Sequence, residues 1–233
     1  HDRTLDLAEP AVSQPWHGCL EPDLDASLIE GKPADPEMRE SASIWLFEEN
    51  GAFAFPRLGI EAVGAQWERH RYDGNFVFPG GRILRISTHG DTHPASGGVL
   101  GAGRLALRCI EPFRRWRVTF DDMVCESTVA EQIAGNFRIF ADQPLPAGVN
   151  RVPVRFEVEL ESAAPGWTQD FRPDKLAGLT EEQRIDAGLM GYGWRVEQTF
   201  RGTGELTIDG QSRSFACVGN RIHRQSVRPM GAF

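Results

Sequence analysis

A chain of 233 residues with a formal net charge of −8 and 40% hydrophobic residues has room for one large β domain or two small ones, and its acidity argues against nucleic acid, whose binders present a basic face. No apolar run reaches transmembrane length and no signal-like segment precedes residue 40, so no membrane insertion and a cytoplasmic location are expected. Lys32 and Lys175 are the only lysines and neither sits in an apolar strand, which disfavours imine chemistry; Cys19, Cys109, Cys125 and Cys217 contain no CxxC pair and read as buried small hydrophobes.

Residues 1–40, rich in Pro and Asp, read as an irregular lead-in wrapped over a domain surface, with one helical turn opened by Asp35-Pro36-Glu37. Regular structure is expected from Ser41. Two apolar runs between Ile44 and Ile60 flank Asn50-Gly51, a type I′ hairpin signal, and Trp67–Tyr72 and Asn75–Phe78 repeat the scheme around Asp73-Gly74. Gly80-Gly81 turns the chain again. The glycine-rich stretch 97–103 precedes strands instead of a helix, so it does not read as a phosphate cradle. Leu105, Leu107 and Cys109 share one strand face, as do Trp116, Val118 and Phe120. Ser127–Phe140 reads as a short helix or a strand. Arg151–Glu161 alternates as a half-buried strand, and Thr180–Met190 is a helix opened by a Thr180/Gln183 capping box. Trp194–Arg228 closes the series as a hairpin around Asp209-Gly210. Strands this short and this often punctuated by glycine predict an all-β antiparallel barrel or sandwich with one or two short helices.

The last strand is expected at an edge that must not stay bare. Another chain, as in a homodimer, a further C-terminal segment, or a second β domain would each cover it.

Two segments carry a resemblance. Glu111-Pro112-Phe113-Arg114-Arg115-Trp116-Arg117 after a glycine-rich turn, and the Glu197-Gln198 strand followed by G-T-G-E-L and then G-N-R-I-H-R-Q-S-V-R, resemble the AttH-like and carotenoid 1,2-hydratase-like group. The family signature is similar to G-x-R-D-H-S-W-G-x-R: Gly219, Arg221, His223 and Arg228 match, while Ile222 replaces the acid, Gln225 the tryptophan and Ser226 the glycine. This resemblance, over residues 42–228, implies a lipocalin-like (calycin-type) fold, two β domains in tandem, and cofactor-independent chemistry on greasy substrates. On that basis 41–219 is a lipocalin-like domain and 220–233 its final strand or the start of a second one. The acid missing at position 222 must then come from elsewhere.

The candidate site follows. His223 and Glu197 are the expected catalytic pair, with Arg221, Arg228, Gln198, Trp194 and Trp116 against the substrate; strand alternation makes Glu197 an outside residue if Val196 and Phe200 are core. His89, Asp91 and His93 have a spacing that could hold a metal on a strand, but Gly90, Asp91 and Pro94 read as a surface turn, and no metal or cofactor is expected. The function expected is a lyase or isomerase of hydratase/dehydratase type acting on an apolar isoprenoid- or polyketide-like molecule; the alternative is a non-catalytic binder of the same ligand. Either predicts a cavity of a few hundred cubic ångströms, whereas a structural domain would fill its own interior.

Overall fold

The computed structural model describes residues 15–93, 98–136, 139–145 and 147–228; residues 1–14 of the lead-in and 229–233 lie outside them. The strands are β1 (Met38–Glu48), β2 (Ala54–Val63), β3 (Arg69–Val77), β4 (Arg82–Asp91), β5 (Val99–Ala102), β6 (Leu105–Glu111), β7 (Arg115–Thr128), β8 (Arg151–Ser162), β9 (Trp167–Asp170), β10 (Tyr192–Ile208) and β11 (Gln211–Val227). Two short helices, α1 (Val129–Ile133) and α2 (Glu181–Met190), lie between strands. Both open with the reciprocal capping box, Thr128/Glu131 and Thr180/Gln183, which supplies partners for amides that a helix start leaves unpaired. The ambiguous stretch 127–140 thus contains the end of β7 and a single helical turn.

All pairings are antiparallel, and the ring β4-β3-β2-β1-β11-β10-β8-β7 closes on itself through β4 and β7 as an eight-stranded barrel. Closure abolishes the exposed edge. β11 runs unbroken through residue 220 and lies between β1 and β10, so the bare edge expected at the last strand is absent. The β4–β7 seam is short: Arg82–Arg85 pair with Cys125–Thr128, after which the β5–β6 hairpin occupies the gap beside the first half of β7.

Turn chemistry explains several boundaries. Asp209 and Gly210 both have positive φ, 50° and 78°, as a type I′ turn requires. Asn50 does not, and instead its side chain accepts from the Ala52 N–H, an Asx turn. Asp73-Gly74 is no turn at all: β3 passes straight through it, with the missing Gly74 side chain making room for Leu58 and Ile86. Asp35 to Met38 forms a single hydrogen-bonded turn instead of helix.

Alternation sorts the core. Ile44, Leu46, Leu58, Ile60, Phe76, Leu84, Phe120, Phe156 and Phe200 point inward and are all at most 2% exposed. Phe76 meets Phe120 and Phe156 at ring separations of 5.9 and 6.2 Å, and Phe156 stacks on Phe215 at 5.6 Å. Each buried phenylalanine contributes about 1.5–3 kcal/mol. These rings fill the barrel's middle and leave its polar end near β10 and β11 as the place where chemistry-bearing groups collect.

Candidate functional site

On β11, Arg221, His223 and Gln225 point inward and alternate with outward Ile222 and Arg224; on β10, Trp194, Val196, Gln198 and Phe200 point inward and alternate with Arg195 and Glu197. The hairpin register sets Trp194 opposite Gln225, Val196 opposite His223 and Gln198 opposite Arg221. The inward row is buried, His223 completely.

Into this row comes an acid from the lead-in. Asp25, in a 3₁₀ turn spanning Leu24–Ala26, has no exposed surface. Its carboxylate accepts from the Phe113 N–H at 2.7 Å, the Trp116 indole N–H at 3.0 Å, and Arg221 Nη1 and Nη2 at 3.0 and 2.7 Å. His223 Nδ1 lies 3.3 Å away. Phe113 stands in the β6–β7 turn with φ of 60°, a conformation costing a bulky residue on the order of 1–3 kcal/mol. Its surroundings impose it: the N–H faces Asp25, and the ring packs with Leu20, Trp194 and Val196, flanked by Trp16 and Leu24.

Glu40, also buried, approaches the other side of the imidazole, its Oε1 3.6 Å from His223 Nε2. That is an ion-pair distance, too long for a hydrogen bond. Glu40 accepts from Gln225 Nε2 at 2.7 Å and from the Ile29 N–H at 3.0 Å. Gln225 in turn donates to the Ser27 carbonyl and accepts from the Trp194 indole, so it pins the lead-in to the barrel. Gln198 accepts from Arg221 Nη2 at 2.8 Å. Trp116 and Trp194 meet the His223 ring edge to face at 5.4 and 4.8 Å.

Burial alone would lower the His223 pKa, but the hydrogen bond with Asp25 and the charges of Asp25 and Glu40 outweigh it and raise it above 6.5, favouring the imidazolium. For Asp25 burial acts upward, and the Arg221 guanidinium followed by His223 holds the carboxyl well below its ordinary range. Two carboxylates, a guanidinium and an imidazolium sum to zero, the condition under which buried charges persist.

Beside Arg221 and His223 the wall is apolar, formed by Ile44, Leu107, Trp116, Val118 and Leu160, around a recess of about 10 Å³. That is the room of one water molecule, not the several hundred cubic ångströms that the sequence led us to expect.

Arg221, Gln198, Trp194 and Trp116 therefore join His223. Glu197 does not: Val196 and Phe200 are core, so strand alternation turns it outward, where it pairs with Arg195. Arg228 lies beyond the end of β11, its N–H donating to the Glu37 carbonyl; its charge is felt by Arg224 on the outer face. Asp25 and Glu40 occupy the acid positions instead, both from a segment or strand start that sequence reading left without a role. A signal existed, since Leu20, Leu24 and Leu28 recur at intervals of four through an otherwise polar lead-in around Asp25. The turn expected at His89-Asp91 is strand, β4 continuing through Asp91. His89 pairs with Asp142 at 3.3 Å and His93 Nε2 lies 3.0 Å from the Gly103 carbonyl. Among the described residues, no three His, Cys, Asp or Glu side chains converge to hold a metal ion.

No protein-family model and no curated protein matches this chain. Among solved structures it is similar to CghA bound to Sch210972, with 12% identity over 83% of this chain and 47% of that one at a TM-score of 0.40. It is likewise similar to CghA alone, with 10% identity over 87% and 52% at a TM-score of 0.40. The chain thus spans about half the length of these neighbours, and the assignment as a barrel rests on the strand pairings themselves.

Proposed function

We propose that this barrel is a cofactor-independent isomerase or lyase for a small, largely apolar molecule of isoprenoid or polyketide type carrying an acidic head, with His223 as the group that exchanges the proton. The observation that carries the reading is a fully buried imidazole set between two carboxylates, Asp25 and Glu40, against an apolar wall. Such an imidazolium gives its Nε2 proton to one end of a double bond and, now neutral, removes a proton from the saturated carbon attached to the other end. The double bond moves and the composition is unchanged.

Asp25 marks where the head belongs. Every donor it engages, Phe113 N–H, Trp116, Arg221 and His223, belongs to the barrel, while the carboxylate itself belongs to the lead-in. A substrate carboxylate or enolate takes over these donors when residues 15–29 swing aside, and the departure of Leu20 and Leu24 from Phe113, Trp194 and Val196 makes room for an apolar body. The resemblance of the Arg221/His223 segment to the AttH-like group agrees with this class of ligand.

A second reading, a barrel that simply fills itself, is favoured by the 10 Å³ recess. Native mass spectrometry of the purified chain, followed by titration with decanoate as a probe, separates the two. A retained apolar compound, or decanoate binding weakened at least tenfold in Arg221→Gln, is expected; neither result appearing leaves the self-filled barrel. With a retained compound in hand, His223→Ala and the better-filling His223→Gln should abolish its conversion while keeping affinity within about tenfold, or roughly 1.4 kcal/mol. Unchanged conversion removes His223 from the mechanism.

A further inference from the structure

The segment that carries Asp25 joins the barrel through side chains. Every backbone-to-backbone hydrogen bond described for residues 15–29 is internal: Gly18 N–H to the Pro15 carbonyl, Leu20 to His17, Leu24 to Glu21, Ala26 to Asp23 and Ser27 to Leu24. Lifting this segment therefore leaves its own turns closed and breaks only contacts that involve a side chain, a lower cost than parting a strand from a sheet.

Three of those contacts lie outside the barrel. The Arg114 guanidinium stands 3.8 Å over the Trp16 ring. The Cys19 N–H donates to Thr168 Oγ1 on β9 at 3.0 Å, and Gly18, with φ of 57°, fits the same spot because a Cβ there would come 2.1 Å from that oxygen. Just after β9, Arg172 Nη2 donates to both Glu21 oxygens at 2.8 and 2.7 Å, while Arg172 Nε and Nη2 hold Asp170 at 2.8 and 2.5 Å. The Glu21 and Arg172 side chains are partly in water, 53% and 26% exposed, so their attraction is modest and screened by salt.

The chain beyond the segment is fixed. The Ala65 N–H donates to the Pro36 carbonyl at 2.9 Å and the Met38 N–H to the Asp35 carbonyl at 3.2 Å. A Cβ on Gly64 would come 2.3 Å from the Asp35 carbonyl oxygen. Between Ile29 and this anchor, Glu30, Gly31 and Lys32 are exposed, and nothing lies within 4 Å of where a Gly31 Cβ would be. A firm anchor, a free glycine and a segment closed on itself make a strap with a pivot.

We propose that residues 15–29 are an autoinhibitory strap that opens about Gly31, and that the Glu21–Arg172–Asp170 junction beside β9 is the latch that sets how often it opens. The effect on binding rests on the reading of the Asp25 position as the place of the substrate head; the latch does not.

Hydrogen exchange of the full chain tests the latch without a ligand. The Cys19 and Ile29 amides report docking, because their acceptors, Thr168 and Glu40, belong to the barrel. Glu21→Gln, which leaves Arg172 on Asp170, should speed exchange at both by about threefold. Arg172→Gln should speed it too, and the double variant no further than Arg172→Gln alone, since the Glu21–Arg172 contact is lost only once. Raising NaCl from about 0.05 to about 0.5 M should speed both amides in the parent and not in Glu21→Gln. Amides of Val196–Phe200 should keep their rates throughout, which separates strap opening from unfolding. Unchanged exchange at Cys19 and Ile29 in both single variants overturns the latch.

A second measurement tests the autoinhibition. Cys19 Sγ lies 3.3 Å from Thr168 Oγ1, so Thr168→Cys brings two thiols within reach of a disulfide that ties the strap down. Oxidised with diamide, this variant should bind decanoate at least about tenfold more weakly than after reduction with dithiothreitol. Equal binding by the two forms overturns the autoinhibition. Binding by neither form, with exchange responding as stated, sinks the head-site reading and the autoinhibition with it, and leaves the latch standing.

Discussion

Asp25 shows how one side chain can hold four elements together, since its carboxylate joins the lead-in to β7, β11 and the β6–β7 turn. Asp25→Ala leaves Arg221 and His223 buried without their counter-charge, and breaking such a pair costs about 3–5 kcal/mol. Urea unfolding should show that loss, and added acetate, which restores a carboxylate to the hole, should recover part of it where acetamide does not. Glu197→Gln is the contrast. Its partner Arg195 and its own side chain are partly in water, so the change should stay within about 1 kcal/mol. Alternation explains the place of Glu197, which sits beside the right residues in the chain but on the wrong face of the strand.

At the scale of elements, the β10–β11 hairpin is the longest pairing, with each strand 17 residues, whereas the β4–β7 seam is held by Arg82–Arg85 and Cys125–Thr128 and by the exposed Arg82–Glu126 contact at 2.5 Å. Hydrogen exchange should therefore release the amides of Arg82–Arg85 before those of Val196–Phe200, because local opening follows the density of paired and buried groups. Glycines separate the two kinds of constraint on the hairpin. Gly219 sits where a Cβ would come 2.1 Å from the Trp45 carbonyl oxygen, so Gly219→Ala forces the strands apart. At Gly210 nothing lies within 4 Å, and Gly210→Ala should cost only the roughly 1–2 kcal/mol of a left-handed residue. A larger loss of Tm in Gly219→Ala than in Gly210→Ala is the expected outcome.

For the whole molecule, stability should peak in a window bounded by its buried charges. Asp25 has a lowered folded pKa, so its contribution is present above the ordinary carboxylate range, near 3.8, and disappears as pH falls through the folded value. His223 has a raised folded pKa, so its contribution is complete below 6.5 and disappears as pH rises through the folded value above that. His70, whose pKa burial lowers, adds to the loss on the acid side. Unfolding free energy measured against pH should thus decline above neutrality, and His223→Gln should flatten that limb; an unchanged limb would show that the imidazole is neutral when buried. The strands β8, β10 and β11, the α2 cap and the turn at Asp209-Gly210 were legible because each is set by neighbours in sequence: an apolar period of two, a capping pair three apart, two residues that tolerate positive φ. Trp194, Gln198, Arg221 and His223 were named from this hairpin and from its resemblance to the AttH-like group, while the face they share was left open by the sequence. What no local pattern could decide is which distant acid reaches His223, because Asp25 is brought there by docking of the lead-in across the barrel end, and Glu40 by pairing of the first strand with the last. Nor could it decide whether the interior is hollow, since that depends on how the rings of Phe76, Phe120, Phe156 and Phe215 from separate strands interlock once the barrel closes. Sequence determines which faces are apolar; only closure determines what those faces enclose.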